Sequence, residues 1–194
     1  MNLIVASNNK NKIREIREII GDRFEILSLK DVNIDIEIIE DGQTFEQNAL
    51  IKARTISKLM PYHAVLADDS GLCVKALDGA PGIYSARYSG ENATDESNRK
   101  KLLKNMEDIA DRKARFVCCM ALILPDKTQP IICQGICNGL IGYEEKGNNG
   151  FGYDSIFIIE EEDKTLAQLS EEEKNKISHR RKALDKINFL VRAF

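Results

Sequence analysis

The sequence has no apolar run close to the ~18 residues that cross a membrane and no clear excess of one charge. Its 28 basic and 31 acidic residues nearly balance, which argues against a broad surface for nucleic acid or for an anionic membrane. The first strand-like segment is followed at once by Asn and Lys, so we expect no signal peptide. We therefore expect neither a nucleic-acid partner nor a membrane.

A disulfide framework and a zinc site are also not expected. The five cysteines are an odd number, and most lie within apolar segments, as small core residues do. Cys133 and Cys137 are four residues apart in a predicted strand with no histidine nearby, which is not a zinc pattern. Free thiols suit a reducing cytoplasm, and we expect the protein there.

The remaining composition is that of one folded domain, and we assign residues 1–194 to it. Hydrophobic residues make up 43% of the chain, and we find no repeat, linker or low-complexity tract. Predicted helices follow Asn9, Thr44, Thr94 and Ser170, each of which has a capping side chain. Predicted strands include residues 3–6, 24–29 and 33–40 and a hairpin of residues 115–124 and 129–138. This alternation predicts an α/β fold with a mixed sheet.

Two adjacent carboxylates are the most informative feature. The apolar run from Val65 leads into Asp68 and Asp69, and we predict a strand that ends there, with a second strand over residues 72–77. Open α/β sheets bind ligands beyond the carboxyl ends of their strands. Neighbouring carboxylates repel each other unless a cation lies between them, and oxygen ligands suit Mg²⁺. The alternative is a solvated turn.

Glu40 adds a third carboxylate, at the end of the predicted strand over residues 33–40. Three carboxylates from two strands can form one Mg²⁺ site that keeps several waters. Such an ion can activate water and neutralise phosphate charge. The alternative is a polar residue that precedes a turn.

A phosphate site is predicted between the first strand and the first helix. A helix N-terminus offers N–H groups and a partial positive charge, and lysines add point charges. This segment has no glycine, so it is neither a Walker loop nor a dinucleotide fingerprint. The alternative is a capped surface helix. The segment consists of Ser7, Asn8, Asn9, Lys10, Asn11 and Lys12.

Three further groups are weaker signals. Lys52 on the second helix faces either the acidic site or solvent. Glycines beside an aromatic ring let a flat ligand approach the backbone, although such pairs are also common structural features. Basic residues in the first turn of the last predicted helix are unfavourable for the helix dipole. A functional role is one explanation for them, and an exposed charged face is the other. The last two groups are Phe151, Gly152, Tyr153 and Asp154, and Lys174, His179 and Arg180.

Taken together, and in the order in which they follow one another along the chain, these motifs resemble those of the house-cleaning purine nucleoside triphosphate pyrophosphatases. Members of that family act on inosine, deoxyinosine and xanthosine triphosphates. The resemblance runs from end to end of the chain and rests on residues 6–12, 44–52, 67–72, 79–88, 150–154 and 169–180. It implies an elongated two-lobed α/β fold around a long mixed sheet with flanking helices, an active site in the central cleft, and a homodimer. Family members often have glycine where Asn9 or Asn11 stands here.

The resemblance also implies residue roles. Residues 7–12 would hold the triphosphate, Glu40 and Asp69 would bind Mg²⁺ with Asp68 close by, and Asp69 would act as general base. Lys52 and Ser70 would contact the nucleotide or its phosphates. The base and sugar pocket would be lined and closed by Phe151, Gly152, Tyr153, Asp154, Lys174, His179 and Arg180.

Three alternatives stay open at this point. A related pyrophosphatase could act on modified pyrimidine nucleotides or on 7-methylated guanine, which base competition assays would reveal. A nucleotide sensor without catalysis would not need three carboxylates. A purely structural dimerisation domain would explain none of the polar clusters.

Overall fold

The computed structural model describes residues 2–21, 24–125, 127 and 129–191. The helices are α1 (Lys10–Ile20), α2 (Phe45–Leu59), α3 (Asp95–Asn105), α4 (Glu171–Ile177) and α5 (His179–Val191). The strands are β1 (Asn2–Val5), β2 (Glu25–Ser28), β3 (Ala64–Val74), β4 (Lys113–Ile123), β5 (Ile131–Ile141), β6 (Phe157–Ile159) and β7 (Lys164–Thr165). None of the helices in these ranges is long and apolar enough to span a bilayer.

The seven strands form one mixed sheet in the order β2-β1-β3-β4-β5-β6-β7. Strand β1 pairs in parallel with both β2 and β3, whereas β6 is antiparallel to β5 and β7. The predicted α/β fold with a mixed sheet and flanking helices is confirmed.

The chain is divided into two compact units. Unit 1 comprises Met1–Asp69, Cys118–Gly135 and His179–Phe194, and unit 2 comprises Ser70–Val117 and Ile136–Ser178. Strands β3, β4 and β5 each contribute residues to both units. The assignment of residues 1–194 to one domain stays a prediction.

Unit 1 has a sheet that is covered on both faces. Successive side chains of a strand point to opposite faces, so Leu3 and Val5 pack with the apolar stripes of α1 and α5, while Ile4 and Ala6 pack with α2. The stripe of α1 is Ile13, Ile16 and Ile20, three and four residues apart, which is the spacing of one helix face. Covering both faces explains why β1 and β3 are apolar without alternation.

Unit 2 has its own core around Phe157, whose ring lies 4.7 Å from that of Phe116. Leu102 and Met106 bring α3, whose helix the sequence predicted to follow Thr94, to this core. The core fixes the ends of β4 and β5 and the residues that follow β5.

Several boundaries confirm the sequence predictions. Asn9, Thr44, Thr94 and Ser170 each cap a helix with a side-chain oxygen, and Gly21 follows α1. Helix α5 begins at His179, directly after Ser178, as the sequence suggested. The predicted hairpin is β4 and β5, but Asp126 and Thr128 of its loop lie outside the described residues, as does Phe194 of the last predicted helix.

Three strand predictions are wrong. Residues 34–42 have no regular structure, because Ile34 and Ile38 pack against the α2 side of unit 1 without a strand partner, and Ile36 is exposed. The strand predicted to end at Asp69 continues to Val74, so the acidic pair lies inside β3 and not beyond its end. Charged partners on both faces, described below, let the strand pass through this polar stretch. The second strand predicted over residues 72–77 is not separate, since its first three residues belong to β3 and its last three form a 3-10 helix.

At Gly135 the backbone of β5 lies close to the backbone of α5. A Cβ added there would lie 2.0 Å from the carbonyl oxygen of His179 and 2.5 Å from the nitrogen of Ala183. Backbone atoms cannot rotate away as a side chain can. Glycine at this position therefore fixes where α5 begins.

We predict that Gly135→Ala lowers the free energy of unfolding by about 1–3 kcal/mol or more, because overpacking forces the backbone apart. Urea unfolding followed by circular dichroism measures the change. Gly142→Ala is the control, since its nearest new contact is the Cδ1 of Ile158 at 3.3 Å, the end of a flexible side chain. Equal stability of the two variants would contradict the assignment.

Candidate active site

The two adjacent carboxylates point to opposite faces of β3. Asp68 shares its face with Leu66 and the core of α1 and α5, whereas Asp69 shares its face with Ala67 and the core of α2. Both are buried, with exposures of 1% and 8%. The strand thus separates the two side chains, and each has its own set of partners.

The Asp69 cluster consists of Glu40, Asn48, Lys52 and Asp69. The Nζ of Lys52 lies 2.7 Å from the Oε2 of Glu40 and 3.3 Å from the Oδ1 of Asp69. Asn48 donates its amide N–H to the Oδ2 of Asp69 at 3.2 Å. Asn48 and Lys52 are one turn apart on α2, so a single helix face supplies both partners.

The pKa shifts within this cluster follow from burial and charge. Burial raises the pKa of Asp69, with a contribution from the charge of Glu40, against the opposing charges of Lys52 and Lys12. Burial lowers the pKa of Lys52, but the carboxylates of Asp69, Asp68 and Glu40 outweigh it, so that pKa is raised. Lys52 therefore stays charged, while Asp69 is a better proton acceptor than an exposed aspartate.

The acidic pair Glu40 and Asp69 fits a divalent cation, because two carboxylates that already share one cationic group can share another. Mg²⁺ is commonly held by one or two carboxylates, with waters and substrate phosphates completing its shell. Among the described residues no group of three His, Cys, Asp or Glu side chains could hold a metal. The placement of Asp68 across the strand argues against its joining this pair, and its role near the metal stays a prediction.

The Asp68 cluster consists of Lys12, Glu15, Asp68, Cys118 and Arg180. The Oδ2 of Asp68 lies 3.3 Å from the Nζ of Lys12 and 3.1 Å from the Nη2 of Arg180. The Nη1 of Arg180 bonds the carboxylate of Glu15. These contacts tie α1, β3 and α5 together within unit 1.

Charge dominates the ionisation of the Asp68 cluster. Burial raises the pKa of Asp68, but the charges of Lys12 and Arg180 hold it well below the ordinary value. Burial lowers the pKa of Arg180, and the charges of Asp68 and Glu15 raise it well above its ordinary value. Burial raises the pKa of Cys118, with the charge of Asp68 adding to it. Asp68 is therefore a fixed negative charge and Cys118 a neutral thiol.

His179 and Arg180 were predicted to face the base, and both are buried in unit 1. Arg180 is 1% exposed and directs two nitrogens to the carboxylates of Glu15 and Asp68. This geometry favours a role in holding α5 in place. The contact of Arg180 with a base stays a prediction.

The predicted phosphate loop is the N-terminus of α1. Asn9 caps it, and its Oδ1 accepts from the N–H groups of Asn11 and Lys12 at 3.0 and 3.2 Å, while the hydroxyl of Ser7 accepts from Asn9. Asn8 and Lys10 are exposed. Neither Asn9 nor Asn11 has a positive φ, so this backbone does not require the glycine that family members often have.

In unit 2 the structure brings Phe151, Asp154 and Lys174 together. The Nζ of Lys174 lies 2.6 Å from the Oδ2 of Asp154 and 4.8 Å from the centre of the Phe151 ring. The same carboxylate oxygen accepts from the N–H of Phe151 at 2.9 Å, and the Tyr153 hydroxyl donates to the carbonyl of Ser85 at 2.8 Å. Ser70, predicted beside the acidic pair, is half-buried in β3.

Several partners of the predicted site residues were not predicted from the sequence. Glu15 lies three residues after Lys12 and Asn48 four before Lys52, so both are helical neighbours of predicted residues, and that spacing was the available signal. Asp95 and Arg99 contact the backbone of Gly152 from α3, which is distant in sequence. Only the fold reveals such contacts.

The chain is an α/β protein with a mixed sheet, and its candidate site has a buried lysine between two carboxylates. The sequence matches the Ham1 family over residues 3–189. The chain belongs to this family.

Curated relatives cover nearly the whole chain. It is 46% identical to a protein of Clostridium tetani named dITP/XTP pyrophosphatase over 195 residues, which cover 99% of this chain and 96% of that protein. It is 48% identical to a protein of Haemophilus influenzae with the same name over 186 residues, which cover 94% of each chain.

Solved structures confirm the fold. The Staphylococcus aureus Ham1 protein superposes with a TM-score of 0.89 at 42% identity, covering 100% of this chain and 99% of that one. A HAM1 protein from Coxiella burnetii superposes with a TM-score of 0.90 at 39% identity, covering 100% of both chains.

We predict that Asp68→Asn flattens the pH dependence of stability. A depressed carboxyl pKa stabilises the fold above the unfolded value of 3.8, and that contribution is lost as pH falls through the folded pKa. Wild-type unfolding free energy should therefore fall from pH 5 to pH 2 more steeply than that of the variant. At pH 7 the variant should lose about 3–5 kcal/mol, because the buried Arg180 and the half-buried Lys12 lose a partner.

Urea unfolding at pH 7, 5, 3 and 2 tests this, with Asp111→Asn as control. Asp111 also pairs with a lysine, Lys75, but at the surface, so its replacement should change stability by about 1 kcal/mol or less. Parallel pH profiles for wild type and Asp68→Asn would refute the role of Asp68.

Proposed function

We propose that this protein hydrolyses deoxyinosine, inosine and xanthosine triphosphates to the monophosphate and pyrophosphate, which keeps these nucleotides out of nucleic acids. The names of its relatives and its family membership support this. The observation that carries the proposal is the Asp69 cluster, in which Lys52 is shared by Glu40 and Asp69. A buried base, a fixed cation and a pair of oxygen ligands are the groups that attack on a phosphorus requires.

Asp69 is the general base in this proposal. Its raised pKa and its position, held by Lys52 and Asn48, suit it to take a proton from the water that attacks the α-phosphorus. The pyrophosphate then leaves from the opposite side of the phosphorus. Lys52, which stays charged, stabilises the negative charge that develops on the phosphoryl oxygens.

Glu40 and Asp69 would hold Mg²⁺. When bound, the ion would neutralise phosphate charge and make a nearby water more acidic. We assign Asp68 to the neighbourhood of the metal as a fixed negative charge. Its ion pairs are with Lys12 of α1 and Arg180 of α5.

The triphosphate is assigned to the α1 N-terminus. Lys10 and Lys12 supply positive charge, and Ser7, Asn8, Asn9 and Asn11 supply polar groups. Because Asn9 already occupies the N–H groups of Asn11 and Lys12, we infer that the lysine side chains carry most of the attraction.

The nucleoside is assigned to the family residues Ser70, Phe151, Gly152, Tyr153, Asp154, Lys174, His179 and Arg180. The Phe151 ring offers a face for stacking. Lys174, held on Asp154, offers a positive charge beside that ring. We further propose a homodimer in the cytoplasm; the five free cysteines suit a reducing compartment.

The expected products of inosine triphosphate are inosine monophosphate and pyrophosphate, since attack falls on the α-phosphorus. Anion-exchange chromatography of the reaction distinguishes these from a diphosphate and phosphate. Activity should require Mg²⁺ and vanish with a chelator. A diphosphate product would rule out the proposed chemistry.

We predict that Asp69→Asn lowers kcat by ~10²–10⁴, because the amide cannot accept a proton at neutral pH. The fold should tolerate the change, since Lys52 keeps Glu40 as a partner. Steady-state kinetics with a pyrophosphate readout measure it. The control is Asp31→Asn, at an exposed residue that bonds Arg17 and Ser28. Near-normal turnover of Asp69→Asn would exclude this residue as the base.

A further inference from the structure

Helix α3 holds the backbone of Gly152 from both sides. The N–H of Gly152 donates to the Oδ2 of Asp95 at 2.8 Å, and its carbonyl accepts from the Nη1 of Arg99 at 2.9 Å. Asp95 and Arg99 are four residues apart and so lie one above the other on the helix. Both bonds involve a charged side chain, which makes them stronger than neutral ones.

Arg99 is itself held in position. Its Nε donates to the Oε2 of Glu145 at 2.8 Å, and the same oxygen accepts from the hydroxyl of Ser155 at 3.2 Å. Glu145 and Ser155 flank the glycine-rich stretch of residues 147–154. The guanidinium therefore connects the two ends of this stretch to its middle.

The first turn of α3 is anchored on its other side. The buried Asn98 accepts from the N–H of Ser89 at 2.7 Å and donates to the carbonyl of Ala86 at 3.1 Å. Thr94 and Ser97 form a capping box at the helix start. A helix turn fixed in this way can hold Gly152 in one place.

Gly152 needs such support. Its φ is +61°, and glycine moves easily among many backbone conformations. It lies between Phe151 and Tyr153, so its conformation sets how the two rings are oriented. Asp154 and Ser85 bond the two neighbours, but the bonds to Gly152 itself come from Asp95 and Arg99.

We infer that Asp95 and Arg99 are positioning residues for the purine pocket: they hold Gly152 so that the Phe151 ring is set for stacking on the base. The inference rests on the proposed function for the identity of the ligand. It concerns the nucleoside, because the side chains of Asp95 and Arg99 bond Gly152 and Glu145 beside the predicted base pocket. Loss of these bonds should weaken nucleotide binding and leave the chemical step intact.

The test compares Asp95→Ala, Asp95→Asn and Arg99→Met with wild type. For deoxyinosine triphosphate we expect KM to rise about tenfold in Asp95→Ala and Arg99→Met, as for loss of a charge-assisted hydrogen bond, with kcat within about twofold. Asp95→Asn should recover much of the KM, because its amide oxygen still accepts from Gly152. Inhibition by inorganic tripolyphosphate, which has no base, should be unchanged in all variants.

Matched controls come from the same helix. Glu96 is the other acidic residue in the first turn of α3 and pairs with Lys100, so Glu96→Ala removes the same helix-dipole interaction without touching Gly152. Lys100→Met is the control for Arg99→Met. Neither control should change KM. An unchanged KM in Asp95→Ala, or an equal rise in Glu96→Ala, would overturn the inference.

Calorimetric binding of inosine monophosphate separates this inference from the proposed function. If wild type binds the monophosphate but cleaves no triphosphate, the proposed function fails, and weaker binding by Asp95→Ala still supports the inference. If the rise in KM is accompanied by a lower kcat, weaker inhibition by tripolyphosphate and lower thermal stability, the two residues merely stabilise the fold, and the inference is wrong.

Discussion

Unit 1 depends on one constraint, the neutralisation of two adjacent carboxylates inside a buried strand. Burying an ion costs several kcal/mol unless a partner compensates. Because neighbouring residues of a strand face opposite ways, Asp68 and Asp69 form their ion pairs with different cations. Helices α1 and α5 therefore bring Lys12 and Arg180 to one face, and α2 brings Lys52 to the other. The otherwise apolar faces of these helices carry charge where the strand requires it.

This arrangement gives the two carboxylates different properties. Two cations hold the pKa of Asp68 well below its ordinary value. Burial raises the pKa of Asp69, with a contribution from the charge of Glu40, although the charge of Lys52 opposes this. Environments that push two neighbouring carboxyl pKa values apart are a known way to divide roles between them. The fixed charge of Asp68 holds α1 and α5 in place, and Asp69 is left as the group able to exchange a proton.

Local patterns predicted the helices, their caps and the apolar strands, because capping side chains and periodic apolar residues act within a few positions. They also singled out Glu40, Lys52 and Asp69, which the structure brings together. Local patterns could not show that β3 continues through Asp68 and Asp69, because the partners that permit it are distant in sequence. For the same reason the sequence did not predict that Arg180 is buried against Glu15, or that α3 bonds the backbone of Gly152.

In unit 2 charged side chains also hold the backbone in place, some of them buried and some at the surface. Lys174 and Asp154 form a buried pair beside Phe151, whereas Asp95 lies at the surface and bonds the Gly152 backbone from there. Surface charges are screened by salt and by water far more than buried ones. Gly152 has no side chain, so its peptide N–H and carbonyl are the groups that α3 can hold. Hydrogen bonds are directional, and those to charged side chains are stronger than neutral ones. Two such bonds can therefore fix the backbone conformation of a glycine even at the surface.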